Sequence, residues 1–374
     1  MIKKTYTIPP VSQGCPVLDY EVNVEVDGTF YGCCWTTDYR FKSIKKLRRW
    51  QAEQKKIFTQ NLWPEACKIC MTKERNTNFS LRVEQIKENY PGYNPLISQP
   101  NILQSQVSLK NLCNLACIIC TPTSSSGIYD LSKNFNFLPT NWTSKGSKWI
   151  DSKETMAKFT RQAKSLQRLT LLGGEPFMIK EYIPFLKELP DTVKILIVTN
   201  ASLYKQEFVN ELKRFKTVNW CYSVDGFGEI NDAVRLNSNW TNIEKNIKQL
   251  KKDFPDSFHN LTPTWSNFTL PHWKKLYKFA KDNNMWYGPE AFFQQVIQHP
   301  EHLRPTYLSD NTKEQILNSL KKFRWHIYIQ RYLSEPKIMD KHSIEKQHQT
   351  LKDIAMFKGI NYEKLFPHIY QDCT

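Results

Sequence analysis

Apolar and polar residues alternate singly through EVNVEV from Glu21 to Val26, Asp27-Gly28 follows as a turn pair, and TFYGCCW then resumes the apolar pattern. Alternation around such a pair predicts a β-hairpin with a two-residue turn. In that register Val26 pairs with Thr29, Val24 with Tyr31 and Val22 with Cys33, which puts Cys33 on the valine face and turns Cys34 away. A basic helical stretch occupies residues 43–54. Residues 90–100, with Pro91, Gly92 and Pro95 among them, read as a linker.

Beyond residue 100 the pattern changes to strands alternating with helical stretches, which predicts parallel βα units. Six strands are expected: SQVSLK ending at Lys110, LQRLTLL at Leu172, VKILIVT at Thr199, VNWCYSV at Val224, HNLTPTW at Trp265, and a weaker one over residues 292–296. Helices are expected between them, at residues 179–189, 204–215 and 241–254. From Asn311 onward the chain reads as helices, the last over residues 352–370. This divides the chain into residues 1–100, 101–300 and 301–374.

Composition excludes a disordered chain, since 40% of the residues are apolar and 13% aromatic, 11 of them Trp. Residues 1–10 hold no apolar run of signal-peptide length and no later stretch reaches membrane-spanning length, so a cytoplasmic protein without membrane contact is expected. Thiols stay reduced there. Ten cysteines, eight of them before Thr121, are then expected to bind metal rather than to form disulfides. The net charge of +16, from 52 Lys plus Arg against 36 Asp plus Glu, favours polyanions. The basic residues are nevertheless spread over most of the chain, in a composition rich in Lys, Asn and Ile that a coding bias toward A and T would equally produce. Charge alone therefore does not point to nucleic acid.

The strand ends carry the chemistry. After the first strand, CNLACIIC puts Cys113, Cys117 and Cys120 on one loop with spacing C-x3-C-x2-C. Soft thiolates suit iron–sulfur clusters, and a four-iron cluster ordinarily has four such ligands. Three leave one iron open, able to take the amino and carboxylate groups of S-adenosylmethionine. Zinc, the alternative, would need a fourth ligand that the loop does not offer. GGEP follows the second strand, TNAS the third and SVDG the fourth. In a barrel of parallel strands these ends share one face.

Four motifs in this order resemble the radical S-adenosylmethionine superfamily, in particular its members with a Twitch or SPASM-type auxiliary cluster. CNLACIIC is similar to the family's cluster loop, LLGGEP to its glycine-rich cofactor motif, VTNAS to the segment usually read TNG, and SVDGFGEINDAVR to the segment usually read S-I-D-G with an arginine about ten residues on. The resemblance implies a partial (β/α)6 TIM-like barrel, with a small N-terminal hairpin and helix domain and a C-terminal helical extension. It implies an enzyme in which a [4Fe-4S] cluster on Cys113, Cys117 and Cys120 reductively cleaves S-adenosylmethionine to a 5'-deoxyadenosyl radical. Gly173, Gly174 and Glu175 would receive the cofactor's methionine amino group, and Asn200, Ser223, Asp225 and Arg235 would line its pocket. The substrate implied is a peptide or protein, and the electron donor a flavodoxin or ferredoxin. A radical enzyme acting on RNA or a nucleotide-bearing substrate, and a non-catalytic iron–sulfur or zinc module, are the competing readings. Ile119, where the family often has an aromatic residue, and Ala201, in place of the glycine of TNG, depart from the pattern.

Cys15, Cys33, Cys67 and Cys70 resemble an auxiliary-cluster set, though relatives usually carry theirs after the barrel. A structural zinc on the same four ligands is the alternative. Cys221 lies within a predicted strand and is expected as a buried small hydrophobe. Cys373 receives no role, and the eight histidines show no ligand spacing.

Overall fold

The computed structural model describes residues 7–36, 38–77, 80–135, 159–161, 163–285, 295–323 and 326–370. The chain gathers into two units. One comprises Met1–Leu109, Gly146–Leu171 and Lys187–Ile195, and the other Lys110–Lys145, Leu172–Leu186 and Leu196–Thr374.

In the first unit, strands β1 (Asn23–Val24) and β2 (Phe30–Tyr31) form the expected hairpin, but its register differs from the expected one by a residue. Asn23 faces Tyr31 and Val24 faces Phe30. The loop is the cause. Glu25 N donates to Thr29 O at 2.9 Å, so Val26, Asp27 and Gly28 together make a three-residue connection. Gly28 sits at φ 77°, and Asp27 Oδ1 accepts from the Thr29 amide at 3.0 Å and its hydroxyl at 2.6 Å. Glycine in the left-handed region closes such loops without steric cost, and the extra residue shifts every cross-strand partner by one. The valine-face argument for Cys33 therefore fails, and its placement rests on the packing described below. β1 also pairs in parallel with β3 (Gln104–Ser108), Val24 opposite Val107, so the hairpin extends the sheet of the first predicted barrel strand. Strand order here is β2-β1-β3-β5-β6, where β5 is Arg168–Leu172 and β6 is Lys194–Thr199.

The helix Ile44–Thr59 runs past its predicted end at residue 54. Ser43 caps it by accepting from Lys46 N at 3.3 Å, and Leu47, Gln51 and Phe58 are buried along one side. Residues 90–100 hold no helix or strand, as the linker reading expects.

In the second unit, which holds Leu196–Thr199 of β6, the parallel order is β6-β7-β9, where β7 is Val218–Tyr222 and β9 is His259–Leu261. Trp220 and Tyr222 are fully buried, with rings stacked at 6.3 Å and 10°, and the Tyr222 hydroxyl bonds His259 Nδ1 at 2.7 Å. The fifth predicted strand breaks. β9 stops at Leu261, Pro263 has no N–H to give a ladder, and β10 (Thr264–Trp265) leaves to pair in parallel with β11 (Gln295–Val296). The sixth predicted strand is thus β11, outside the main sheet, and residues 292–294 of that prediction lie outside the described residues.

The predicted helix at 241–254 is present as Trp240–Asp253, capped by Asn239, whose Oδ1 accepts from Asn242 N at 3.0 Å. Those predicted at 179–189 and 204–215 are shorter, Tyr182–Lys187 and Gln206–Leu212. The C-terminal region is helical, but the helix predicted over 352–370 does not form. Lys341–Phe357 ends at Gly359, φ 72°, and Tyr362–Leu365 and Pro367–Tyr370 follow as short turns, because a left-handed glycine closes a helix and proline resists continuing one. The whole is a mixed α/β fold with parallel central strands and a helical C-terminal region, as expected of a partial barrel. Among the described residues no helix is long and apolar enough to cross a membrane.

Candidate metal and cofactor site

The residues predicted for the principal site lie together in the second unit. Directly after Asn111 and Leu112 the cysteine loop begins, and its middle forms β4 (Ala116–Cys117), which pairs antiparallel with β8 (Arg235–Leu236), so that Cys117 stands opposite Arg235. The loop is held from within. Cys113 N donates to Ser126 Oγ at 3.1 Å, Ser125 Oγ to Leu115 O at 3.0 Å, and Cys120 N to Cys117 O at 3.0 Å. A Cβ at Gly127 would stand 2.3 Å from Leu115 O, so the SSSG stretch after the cysteines supplies both hydroxyls and room. The sequence reading missed these residues, and four small side chains in a row behind a ligand loop were the available sign.

Three strand ends meet this loop. Gly173, at φ 110°, follows β5, and Cβ atoms at Gly173 and Gly174 would come within 2.5 Å of Lys110 O and 2.2 Å of Leu112 O. Gly174 N donates to Lys110 O at 2.9 Å and Glu175 N to Leu112 O at 2.8 Å. Only glycine permits that approach. Glu175 is fully buried. Its carboxylate accepts from Thr199 Oγ1 at 2.7 Å, Asn200 N at 2.7 Å and Phe177 N at 3.1 Å, tying the end of β5 to that of β6. Asn200 then reaches the loop, donating from Nδ2 to Asn114 Oδ1 at 3.2 Å and toward Cys113 Sγ at 3.8 Å. Ser223 N, just past β7, donates to Thr199 O at 2.8 Å. Asp225 accepts from Arg235 Nε at 2.6 Å and from Thr264 N at 2.8 Å, and Arg235 Nη1 lies 3.8 Å from Cys117 Sγ. Ile119 is half-buried, and Ala201 adopts φ 56° where the resemblance puts glycine.

Burial pushes all three thiols up, Cys120 to about 11, and for Cys117 and Cys120 the neighbouring cysteines add to the rise while Arg235 opposes it. Burial works against the charge on Arg235, yet Asp225 first and then Cys117 hold its pKa above the usual value. Glu175 is pushed up to about 7 by burial, against the hydrogen bonds from Thr199 and Asn200. A permanently charged guanidinium beside buried thiols favours their ionised, metal-ligating form. Among the described residues no three His, Cys, Asp or Glu side chains converge on a point fit for a single metal ion. Three buried thiols on one loop that influence one another are the soft donor set an iron–sulfur cluster takes.

The N-terminal cysteines gather in the first unit. Cys15, Cys33, Cys67 and Cys70 line one cavity with Trp50 and Phe58 among its walls, and Cys34 is not part of the lining. Burial raises Cys67 to about 12 and Cys70 to about 11, and Cys15 well above its usual range, where Cys70 and Cys67 add to the effect. Arg82, which no motif marked, lies beneath the cavity at 1% exposure, and all five of its N–H groups are used. Nε and Nη2 bind the Glu74 carboxylate at 2.9 and 2.7 Å, Nη2 also donates to Pro9 O at 2.9 Å, and Nη1 donates to Pro10 O and Gly14 O at 3.1 Å each. It thereby fixes the residue before Cys15 to the helix that carries Cys70. Removing one member of a buried ion pair strands its partner, at a cost of about 3–5 kcal/mol. Arg82→Met is therefore expected to lose stability of that order in chemical denaturation, and Glu74→Gln less; equal stability of Arg82→Met and the parent would contradict the clasp.

Cys221, expected to be buried, is half-buried on β7 with Asn260 as its hydrogen-bond partner. Cys373 lies outside the described residues.

Residues 107–280 match the profile of the Radical SAM superfamily, a family that uses a [4Fe-4S] cluster and S-adenosylmethionine. No curated protein matches the chain. Among solved structures the chain is similar to native anSMEcpe with bound AdoMet, at 16% identity and TM-score 0.41 over 61% of each chain. It is also similar to Streptococcus suis SuiB bound to S-adenosylmethionine, at 12% identity and TM-score 0.38 over 81% of this chain and 68% of that one. SuiB bound to precursor peptide SuiA gives 15% identity and TM-score 0.40 over 82% and 69%. The chain thus spans 61% of the length of the anSMEcpe structure.

Proposed function

Since residues 107–280 match the profile of the Radical SAM superfamily, we propose that the chain is a radical S-adenosylmethionine enzyme acting on a peptide or protein. When bound at Cys113, Cys117 and Cys120, a [4Fe-4S] cluster supplies the electron that cleaves S-adenosylmethionine and so generates the 5'-deoxyadenosyl radical that takes hydrogen from the substrate. The single observation that carries the reading is the double tether of the loop: Asn200 against Cys113 and Arg235 against Cys117, each 3.8 Å from sulfur. Each contact brings the end of a different strand motif, TNAS or SVDG with its arginine, onto a ligand of the loop, where it can orient and tune a ligated sulfur.

In this reading Glu175 and Asp225 are positioning residues. Their carboxylates are spent on protein donors, Glu175 orienting Asn200 and Asp225 orienting Arg235. Gly173 and Gly174 let the end of β5 close onto the start of the cysteine loop, where the resemblance puts the cofactor's methionine end, and Ser223 stands at the end of β7. Cys15, Cys33, Cys67 and Cys70 hold an auxiliary iron–sulfur cluster in the domain of residues 1–100. The peptide substrate is supported by the likeness of the motifs to SPASM and Twitch enzymes, and a flavodoxin or ferredoxin serves as donor.

Anaerobically reconstituted, dithionite-reduced protein is expected to yield 5'-deoxyadenosine and methionine slowly without substrate, and faster once a correctly placed hydrogen donor is present. Chromatography of the mixture measures both products. A yield no higher than that of a variant lacking the three loop cysteines would reject the enzyme.

A further inference from the structure

The helix Ile44–Thr59 has two unlike faces. Trp50 and Phe58 line the four-cysteine cavity, and Leu47 and Gln51 are buried. Outward on the helix stand Lys45, Lys46, Arg49 and Lys56, with Lys42 just before its cap, all exposed, and Glu53 is the single acid between residues 42 and 59. Steps of three and four residues put these cations on one stripe. Among the described residues none of the five has an ion-pair partner.

The stripe opposes the stability of its own helix. Like charges such as Lys45 with Arg49 repel by about 0.2–0.5 kcal/mol per pair. Lys45 and Lys46 also lie in the first turn, where the helix dipole favours acids and the helix has none. The Ser43 cap, the Lys55–Asp19 ion pair at 2.8 Å, the buried Leu47 and Phe58, and Lys56 in the last turn hold the helix against these costs. The outer cations are thus carried as an exposed basic face to which a partner of opposite charge is complementary.

We propose that this stripe is the docking surface for an acidic electron-carrier protein, which exchanges one electron with the cluster on Cys15, Cys33, Cys67 and Cys70. The proposal rests on the reading of those cysteines as an iron–sulfur site. In the exchange the carrier is oxidised by one electron and the cluster reduced by one; no bond forms or breaks and no proton moves. Two observations favour a redox protein over nucleic acid. First, the cations sit on the outer face of a helix whose inner face walls a thiol-lined cavity, a position useful to a partner that trades electrons. Second, the neighbouring rings are not free to stack on bases: Trp50 packs on Tyr39 at 5.0 Å and on Phe41 at 5.6 Å between centroids.

The test uses the full reconstituted chain and an acidic flavodoxin as probe, with affinity read by calorimetry at low and high salt. Opposite-charge docking is screened by salt. The Lys45→Glu, Lys46→Glu, Arg49→Glu triple variant is expected to bind flavodoxin at least about tenfold more weakly than the parent and to lose most of the salt dependence. The Lys45→Arg, Lys46→Arg, Arg49→Lys variant is expected to bind as the parent does. Because glutamate in a first turn suits the dipole, the reversed variant should keep its circular dichroism. Equal flavodoxin affinity in parent and reversed variant would overturn the proposal. So would a single-stranded RNA of twenty nucleotides that binds more tightly than flavodoxin and is lost in the same variant. Dithionite needs no docking, so the reversed variant should keep the parent's dithionite-driven yield of 5'-deoxyadenosine. Absence of that product from the parent would reject the enzyme reading, while flavodoxin binding would still decide the docking.

Discussion

Replacing Cys113, Cys117 and Cys120 together by alanine is expected to halve the iron of the reconstituted protein, from about eight to about four atoms per chain, and to abolish 5'-deoxyadenosine formation. The two cysteine sets belong to separate compact units, so each cluster should assemble from its own unit's thiols. The loop cysteines supply every thiolate of the first site, and Arg235 and Asn200 reach sulfur without being able to replace it. The reciprocal quadruple change at Cys15, Cys33, Cys67 and Cys70 should also leave about four iron atoms, in this case the ones needed for cofactor cleavage. Iron and sulfide analysis with electron paramagnetic resonance of the reduced proteins separates the two. One tightly bound zinc per parent chain, with only about four iron atoms, would replace the auxiliary cluster by a structural zinc site.

The grouping of the candidate residues of the principal site was legible because they follow strand ends in the sequence itself. Gly173, Asn200 and Ser223 each come directly after a strand whose apolar run is plain, so locating the strand located the residue. What hydrogen bonding between distant segments decides was not legible. The hairpin register turned on whether Asp27 would bond Thr29 and lengthen the loop by a residue, and Asp-Gly alone does not distinguish the two turns. Arg82 carried no motif, and only the fold brings Glu74, Pro9 and Gly14 around it. Ala201 shows a subtler case. The missing glycine of TNG put the turn in doubt, yet the backbone still takes φ 56°, with Thr199 Oγ1 accepting from Ala201 N at 3.0 Å. A left-handed alanine costs roughly 1–2 kcal/mol. The surrounding bonds at Glu175, Thr199 and Asn200 hold the turn regardless.

Gly174→Ala should disable the principal site without touching a ligand. The added Cβ would stand 2.2 Å from Leu112 O and 2.5 Å from Asn111 O, both backbone atoms, so no flexible side chain can move aside. Leu112 immediately precedes Cys113, and its carbonyl accepts from Glu175 N at 2.8 Å. Relieving the clash means separating the strand end from the start of the ligand loop, which misplaces Cys113 and loosens the Glu175 bonds that orient Asn200. Overpacking of this kind costs about 1–3 kcal/mol and often more where backbone must shift. The variant is therefore expected to melt lower, to retain about four iron atoms held at the N-terminal site, and to give little or no 5'-deoxyadenosine. Gly92→Ala is the control, since nothing lies within 4 Å of a Cβ there, and it should match the parent within about 0.5 kcal/mol. If Gly174→Ala holds about eight iron atoms and cleaves S-adenosylmethionine at the parental rate, the close approach of strand end and cysteine loop is not what shapes the site.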